Sequence, residues 1–322
     1  MSLKIILRKY FSIILNILGL APKFWQDSSK YFVTIDYHYF SDNNEISHPS
    51  LEINRNILEL QLKFFHKNMH IIDPKHLGTN LFSMLKSDMS SILFTIDDAD
   101  ISFQENFDLF QKYKIPVILF VPFGLCLKQN TRDGLMSRIL RSFFEIEKNK
   151  LLSLKQKEDF FNSLEAASME NLNKIYKDLL LRRDKIDPIS SRVLLSIEEL
   201  QKLSKDSLIT IGSHSMSHPI LSEVPEKWLN WELSTSKKYL HIVNGDEKYF
   251  AYPYGFKAST NSEIKQKLKK LGIKYAFLTR STVITADSDK LELGRVGMLN
   301  FFNARYLRGL SAFEVYDKLL HR

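Results

Sequence analysis

The sequence predicts an α/β fold: a mainly parallel sheet, closed or nearly so, carrying a helical insertion. Three observations support this. Short apolar runs rich in Ile, Val, Phe, Tyr and Thr recur along the chain and alternate with stretches of helical apolar spacing, the pattern of successive βαβ units. One run, Ser91 to Ile96, ends in the adjacent carboxylates Asp97 and Asp98, and another, Leu208 to Ser213, leads into His214 and His218. Strands buried on both faces that end in polar groups are where such folds place their chemistry. The stretch from Thr131 to about Arg192 instead has few β-branched residues, many Leu, Lys, Glu, Asp and Asn, and helical periodicity.

Taken in order, Met1 to Trp25 mixes Lys4, Arg8 and Lys9 with Ile5, Ile6, Leu7, Phe11, Ile13 and Leu15. Arg8 and Lys9 interrupt the apolar run and leave Tyr10 to Ala21, short of the roughly 20 residues a membrane span needs. Residues 1–27 are expected to form a basic amphipathic segment lying on a membrane, with a signal peptide as the alternative. Residues 28–322 form the main domain, with the helical insertion at about 131–192. Tyr31 to Tyr37 reads as the first strand and runs into His38. Ser50 to Asn68 carries helical spacing, His70 to Ile72 is a short apolar element, and Leu81 with Leu85 marks a further short helix.

Beyond the Asp97 strand, Phe107 to Tyr113 is expected to be helical. Ile115 to Val121 is a strand halted by Pro122 and Gly124. The insertion reads as scaffold, with a lid or cap over the active face as its functional alternative. Ser196 with Glu199 forms a capping-box pattern, so a helix starts there. Val224 to Leu240 is helical, Lys248 to Gly255 a strand with a turn, Asn261 to Leu271 helical, and Lys274 to Thr279 a strand.

Composition excludes several classes. A hydrophobic content of 44% with 25% charged residues sets aside disordered and fibrous chains. The single Cys126 rules out a disulfide framework and a thiolate zinc cluster. The net charge of +8 suits an anionic partner or a solvated lysine-rich surface. With no recognition motif present, it does not by itself point to nucleic acid.

A catalytic zinc takes three ligands from His and carboxylate side chains and keeps a position for water. Asp98, His214 and His218 fit that inventory, which leaves Asp97 as a base. Each signal alone has a plain reading: Asp97–Asp98 as a turn or helix cap, and the histidines as unrelated side chains in a turn marked by Gly212 and Pro219.

Together with their flanks, these words resemble the polysaccharide deacetylase family (NodB homology, carbohydrate esterase family 4). Phe94–Thr–Ile–Asp–Asp98 is similar to its Thr-Phe-Asp-Asp motif, Ile211–Gly–Ser–His–Ser–Met–Ser–His–Pro219 to its His-Ser/Thr-x-x-His motif, and Phe250–Ala–Tyr–Pro–Tyr–Gly255 to its third. The early Tyr37–His38 resembles the circularly permuted poly-N-acetylglucosamine deacetylase group. The resemblance implies a deformed (β/α) barrel that removes acetyl groups from N-acetylated sugars. It implies Asp97 as general base, Asp98, His214 and His218 as ligands of a divalent metal, zinc foremost, His38 as general acid, and the backbone N–H of Tyr254 as an oxyanion donor.

Two family features are missing. The third-motif arginine that orients the base aligns with Ala251, and no late Leu-x-His motif is present, only His321. Arg295, in Leu293–Gly–Arg–Val–Gly–Met298, is a candidate replacement for the arginine, with a surface arginine at a strand start as the alternative. Ala99 stands where the family has glycine, and Asp100 is expected to cap the next helix or meet substrate. The functional expectation is a metal-dependent hydrolase deacylating an N-acetylated amino sugar of a bacterial surface polysaccharide or its lipid-linked precursor. It would work in the cytoplasm or at the inner membrane, with the envelope side open. The alternative is a catalytically weakened member that binds glycan.

Overall fold

The computed structural model describes residues 30–42, 51–77, 82, 85, 89–147, 152–182 and 193–308. The N-terminal segment, His321, Leu81 and parts of the insertion lie outside the described residues. Among the described residues, no helix is long and apolar enough to cross a membrane.

The strands are β1 (Tyr31–Tyr37), β2 (Tyr39–Ser41), β3 (Glu52–Asn54), β4 (His70–Ile71), β5 (Ser91–Ile96), β6 (Val117–Val121), β7 (Ile209–Ser213), β8 (Tyr249–Ala251), β9 (Tyr275–Phe277), β10 (Ile284–Thr285) and β11 (Val296–Gly297). The main sheet runs β10-β1-β5-β6-β7-β8-β9, with β4 on β5 and β11 on β1. Every pair in it is parallel except β1 with β10.

The sheet closes on itself. Leu293 bridges Phe277 of β9, while Val296 and Gly297, a few residues on, pair with Ile35 and Asp36 of β1. One short segment is thus the last stave between the two edges. The result is a deformed barrel with unequal strands.

Strand alternation decides what faces inward. Phe32, Leu93, Ile118, Phe120, Tyr249, Ala251, Tyr275, Phe277 and Leu293 form one buried cluster inside the barrel. Their neighbours Val33, Ile35, Ile92, Phe94, Val117, Leu119 and Ile211 pack outward against helices. Gly212 faces inward where a Cβ would meet the Phe120 ring at 2.7 Å, so the interior has no room for a larger residue. At the carboxyl ends of the strands the lining turns polar, with Asp36, Thr95, Asp97 and Arg295.

The helices are α1 (Arg55–Asn68), α2 (Ile101–Glu105), α3 (Phe107–Lys112), α4 (Phe123–Cys126), α5 (Arg132–Glu147), α6 (Leu154–Ala166), α7 (Met169–Leu181), α8 (Ile197–Leu203), α9 (Glu226–Ile242), α10 (Ser262–Lys270) and α11 (Ala304–Arg308). Two differ from expectation. The helix expected from Ser50 begins at Arg55, because Glu52–Asn54 is extended and pairs with β2, and Asn54 caps α1 by accepting from the Asn56 N–H at 2.9 Å. Helix α2 is not foreseen from apolar spacing, but Asp100 caps it as expected of it, through the Ser102 N–H, also at 2.9 Å. The Ser196 and Glu199 capping box at α8 forms as read.

Helices α5, α6 and α7 account for most of the described residues in the stretch expected to be helical. Their Leu135, Ile139, Leu140, Phe161, Leu164 and Leu172 share a buried cluster with Trp228, Leu229 and Leu233 of α9 and Phe250 of β8. Full burial of each such side chain contributes roughly 1.5–3 kcal/mol. The helices are therefore fused to the barrel wall rather than set apart from it.

Candidate active site

Apart from Arg295, which precedes β11, the candidate side chains sit at or just beyond the carboxyl end of a strand: His38 after β1, Asp97 and Asp98 after β5, His214 after β7 with His218 farther along the same loop, and Tyr254 just beyond β8. Left-handed backbone re-aims the chain there. Asp98 (φ 72°), Ala99 (φ 53°), Ser215 (φ 67°), His218 (φ 60°) and Tyr254 (φ 61°) are five of the seven non-glycine residues with positive φ among those described. Each such residue costs of order 1–3 kcal/mol, and such strain concentrates where side chains must converge. Ala99 adopts the conformation glycine would have taken. Gly255 follows Tyr254 at φ 62°, where a Cβ would lie 2.6 Å from the Thr279 nitrogen.

Asp97 points into the barrel and Asp98 turns toward the histidines. Asp98, His214 and His218 bring one ligand atom each within 4.8 Å of one another. The Nε2 atoms of His214 and His218 lie 3.7 Å and 3.4 Å from Asp98 Oδ1, and 3.2 Å from each other. Asp98 Oδ2 accepts from the Tyr39 hydroxyl at 2.9 Å, whereas Oδ1 is buried without a hydrogen-bond partner. The His214 Nδ1–H donates to the Ala251 carbonyl at 2.7 Å, which leaves Nε2 as the atom with a lone pair. A buried orphaned carboxylate oxygen facing two imidazole nitrogens suits a divalent cation, and this oxygen and nitrogen donor set matches zinc among others.

Burial pushes the Asp98 carboxyl up to about 6 and the His214 imidazole down to about 4. Burial likewise drives His218 well below the ordinary range. At neutral pH the triad is therefore one carboxylate and two neutral rings, the forms that bind metal.

Arg295 is wholly buried inside the barrel, not a surface residue at a strand start. Its Nη1 and Nη2 each donate to one oxygen of Asp97 at 2.7 Å. Nη1 also reaches Asp36 at 3.0 Å and Thr95 at 3.2 Å, and Nε reaches the Leu278 carbonyl at 3.2 Å. Burial pushes the Asp97 carboxyl upward, but Arg295, with His214 and His38, holds it down to about 2. Asp36, buried and sharing the same single guanidinium, is raised well above the usual range. Asp36, His38 and Asp97 also gather within 4.8 Å. That cluster already holds its cation in Arg295.

His38 Nε2 lies 4.0 Å from Asp97 Oδ2, and its side chain keeps 17% exposure, unlike the rest of the site. His214 Nε2 is 3.7 Å from the same oxygen. The candidate base, the candidate acid and the candidate ligands thus surround one small space. Asp100 stands apart, committed to capping α2.

Several contributors escaped sequence reasoning. Glu232 of α9 accepts from the N–H groups of Met216 and Ser217 at 2.8 and 2.9 Å, from the Ser217 hydroxyl, and from the Trp228 indole at 2.8 Å. It clamps the loop that carries His218. Arg141 and Glu145 reach in from α5: Arg141 Nη1 meets the His218 carbonyl at 2.7 Å, the Tyr254 hydroxyl at 2.9 Å and His218 Nδ1 at 3.1 Å. Glu145 accepts from the Tyr254 hydroxyl at 2.7 Å and pairs with Arg141 at 3.0 Å. A charged pair four apart amid Ile139, Leu140, Phe143 and Phe144 was the available signal. For Asp36 it was a carboxylate at an inward position of a strand.

The polysaccharide deacetylase family model matches residues 160–276, which hold the histidine pair and the Tyr–Pro–Tyr–Gly turn but not Asp97 and Asp98. No curated protein matches the sequence. Among solved structures, the chain is similar to the deacetylase PplD of Streptococcus pyogenes in complex with acetate (TM-score 0.57, 16% identity, 86% of this chain and 96% of that one). It is also similar to IcaB from Ammonifex degensii (0.55, 16%, 88% and 97%). A third is the de-N-acetylase of Aggregatibacter actinomycetemcomitans (0.57, 12%, 87% and 99%). The resemblance read from the motifs holds, and the fold is the deformed (β/α) barrel of the NodB type.

Proposed function

We propose that the chain is a metal-dependent hydrolase that removes an acetyl group from an N-acetylated amino sugar of a surface polysaccharide or its lipid-linked precursor. The observation that carries this reading is the convergence of an orphaned Asp98 oxygen and two imidazole Nε2 atoms beside an Asp97 held ionised by Arg295. The matched family and the fold support the sugar amide as substrate class.

In this reading Asp98, His214 and His218 hold a divalent ion, with zinc the first candidate. When bound, the ion polarises the acetyl carbonyl and lowers the pKa of water at the site. Asp97 takes the proton of the attacking water, and Arg295 keeps its carboxylate aimed during the transfer. The backbone N–H of Tyr254 donates to the carbonyl oxygen as charge develops on it. His38 protonates the departing nitrogen. A C–O bond forms and the C–N bond breaks, giving acetate and a free amine. The proton taken by Asp97 has a short way back to His38, 4.0 Å away.

The glycan-binding alternative rested on two missing parts, the third-motif arginine and the late histidine. In this reading Arg295, which grips Asp97 at 2.7 Å, and His38, 4.0 Å from it, stand in for those two parts, which favours turnover. The basic apolar N-terminus supports contact with an anionic membrane surface, and the reading assigns no role to nucleic acid. The test is acetate release from a panel of N-acetylated oligosaccharides, with and without chelator and added zinc. Metal-dependent release supports the reading. Tight metal binding without release from any N-acetylated glycan favours the glycan-binding alternative.

A further inference from the structure

We propose that Arg141, on the first helix of the insertion, is a positioning residue that locks the His218 loop and the Tyr254 turn in register. The inference rests on the reading that His218 holds metal and that the Tyr254 turn supplies the oxyanion donor. Those two groups come from different strands, β7 and β8, and from segments in left-handed backbone. The His218 and Tyr254 rings meet as a tilted pair with centroids 5.1 Å apart. Arg141 touches both: the His218 carbonyl at 2.7 Å and the Tyr254 hydroxyl at 2.9 Å.

The guanidinium cannot drift. Its side chain is 3% exposed, and Glu145, one turn on along α5 and 7% exposed, pairs with it at 3.0 Å. Glu145 also accepts from the Tyr254 hydroxyl at 2.7 Å, so the tyrosine is gripped by both members of the pair. The planar, always-charged fork is suited to holding acceptors in fixed directions, which an ammonium group does not do. The contact to His218 Nδ1 at 3.1 Å is the longest of the three Nη1 contacts. It is the one given up when Nδ1 carries the ring proton, because a guanidinium only donates. The carbonyl and hydroxyl contacts do not depend on the tautomer. Helix α5 is itself fixed by Leu135, Ile139 and Leu140 in the cluster shared with α9. The insertion thus acts as a brace on the metal centre rather than as scaffold alone.

The test compares the parent chain with Arg141→Lys, Arg141→Met and the double variant Arg141→Met with Glu145→Gln, which removes both buried charges and so avoids stranding one. Zinc affinity is measured by competition with a chromophoric chelator, the ligand field by the visible spectrum of the cobalt form, and kcat and KM by acetate release. Removing a group that orients a metal ligand costs roughly 10- to 100-fold in affinity or activity. A loss of that size is expected in all three variants, with a shifted cobalt spectrum and a larger fall in kcat than rise in KM. Variants that bind zinc within about 2-fold of the parent with an unchanged cobalt spectrum overturn the proposal, whatever their thermal stability. A parent chain that binds no zinc overturns the reading beneath it, and the proposal with it.

Discussion

Replacing Arg295 with methionine removes the guanidinium that Asp36 and Asp97 share inside the barrel and keeps most of the side-chain volume. In the parent, Arg295, with His214 and His38, holds the Asp97 carboxyl down to about 2 against the pull of burial. The variant also strands Asp36, already raised by burial, so the loss should reach the roughly 3–5 kcal/mol typical of a broken buried pair. The sign with pH follows from the same shifts. The depressed Asp97 stabilises the parent above pH 3.8, and that contribution is lost only as pH falls through about 2. In the variant both carboxylates oppose folding while ionised, so lowering the pH protonates them and narrows the gap. Urea unfolding of both chains at pH 7.5 and pH 5 is the assay. A gap below about 1 kcal/mol at pH 7.5, or one that does not shrink at pH 5, refutes the electrostatic account of Asp97.

Three further outcomes follow from the site. Zinc affinity should be level above pH 6 and fall below it, because protons compete for Asp98 near 6 before they compete for His214 near 4; competition titrations across pH 4.5–8 check the order. His38→Ala should lower kcat by roughly 10²- to 10⁴-fold, the usual contribution of a positioned acid. Equilibrium dialysis should find its metal content unchanged. Glu232→Gln turns an amide N–H₂ toward backbone donors. It should cost about 1–3 kcal/mol in urea unfolding and weaken zinc binding through the loosened His218 loop.

Much of the site was legible because its residues stand at strand ends. Asp97, Asp98, His214 and His218 follow apolar runs whose burial the sequence announces, and His38 follows another. The α9, α10 and β9 elements form close to where their periodicity puts them. What stayed hidden depends on contacts distant in sequence. Arg295 was a named candidate, but its burial was not readable: it meets Asp97 across 198 residues, from a stave with only two paired strand residues, too short to show a period. β3 was masked because Leu51 and Ile53 extend the spacing of the helix that follows. Arg141 and Glu145 stand four apart amid apolar residues, a sign of burial, but the spacing of α5 does not reveal that they meet His218 and Tyr254, 77 and 109 residues on.

The most direct test pairs two variants with one measurement each of bound zinc and acetate release. Asp98→Ala should lose the metal and turnover together, whereas Asp97→Asn should keep one zinc per chain and release no acetate. Full activity in Asp97→Asn, or loss of its zinc, would contradict the division of labour between the two adjacent carboxylates.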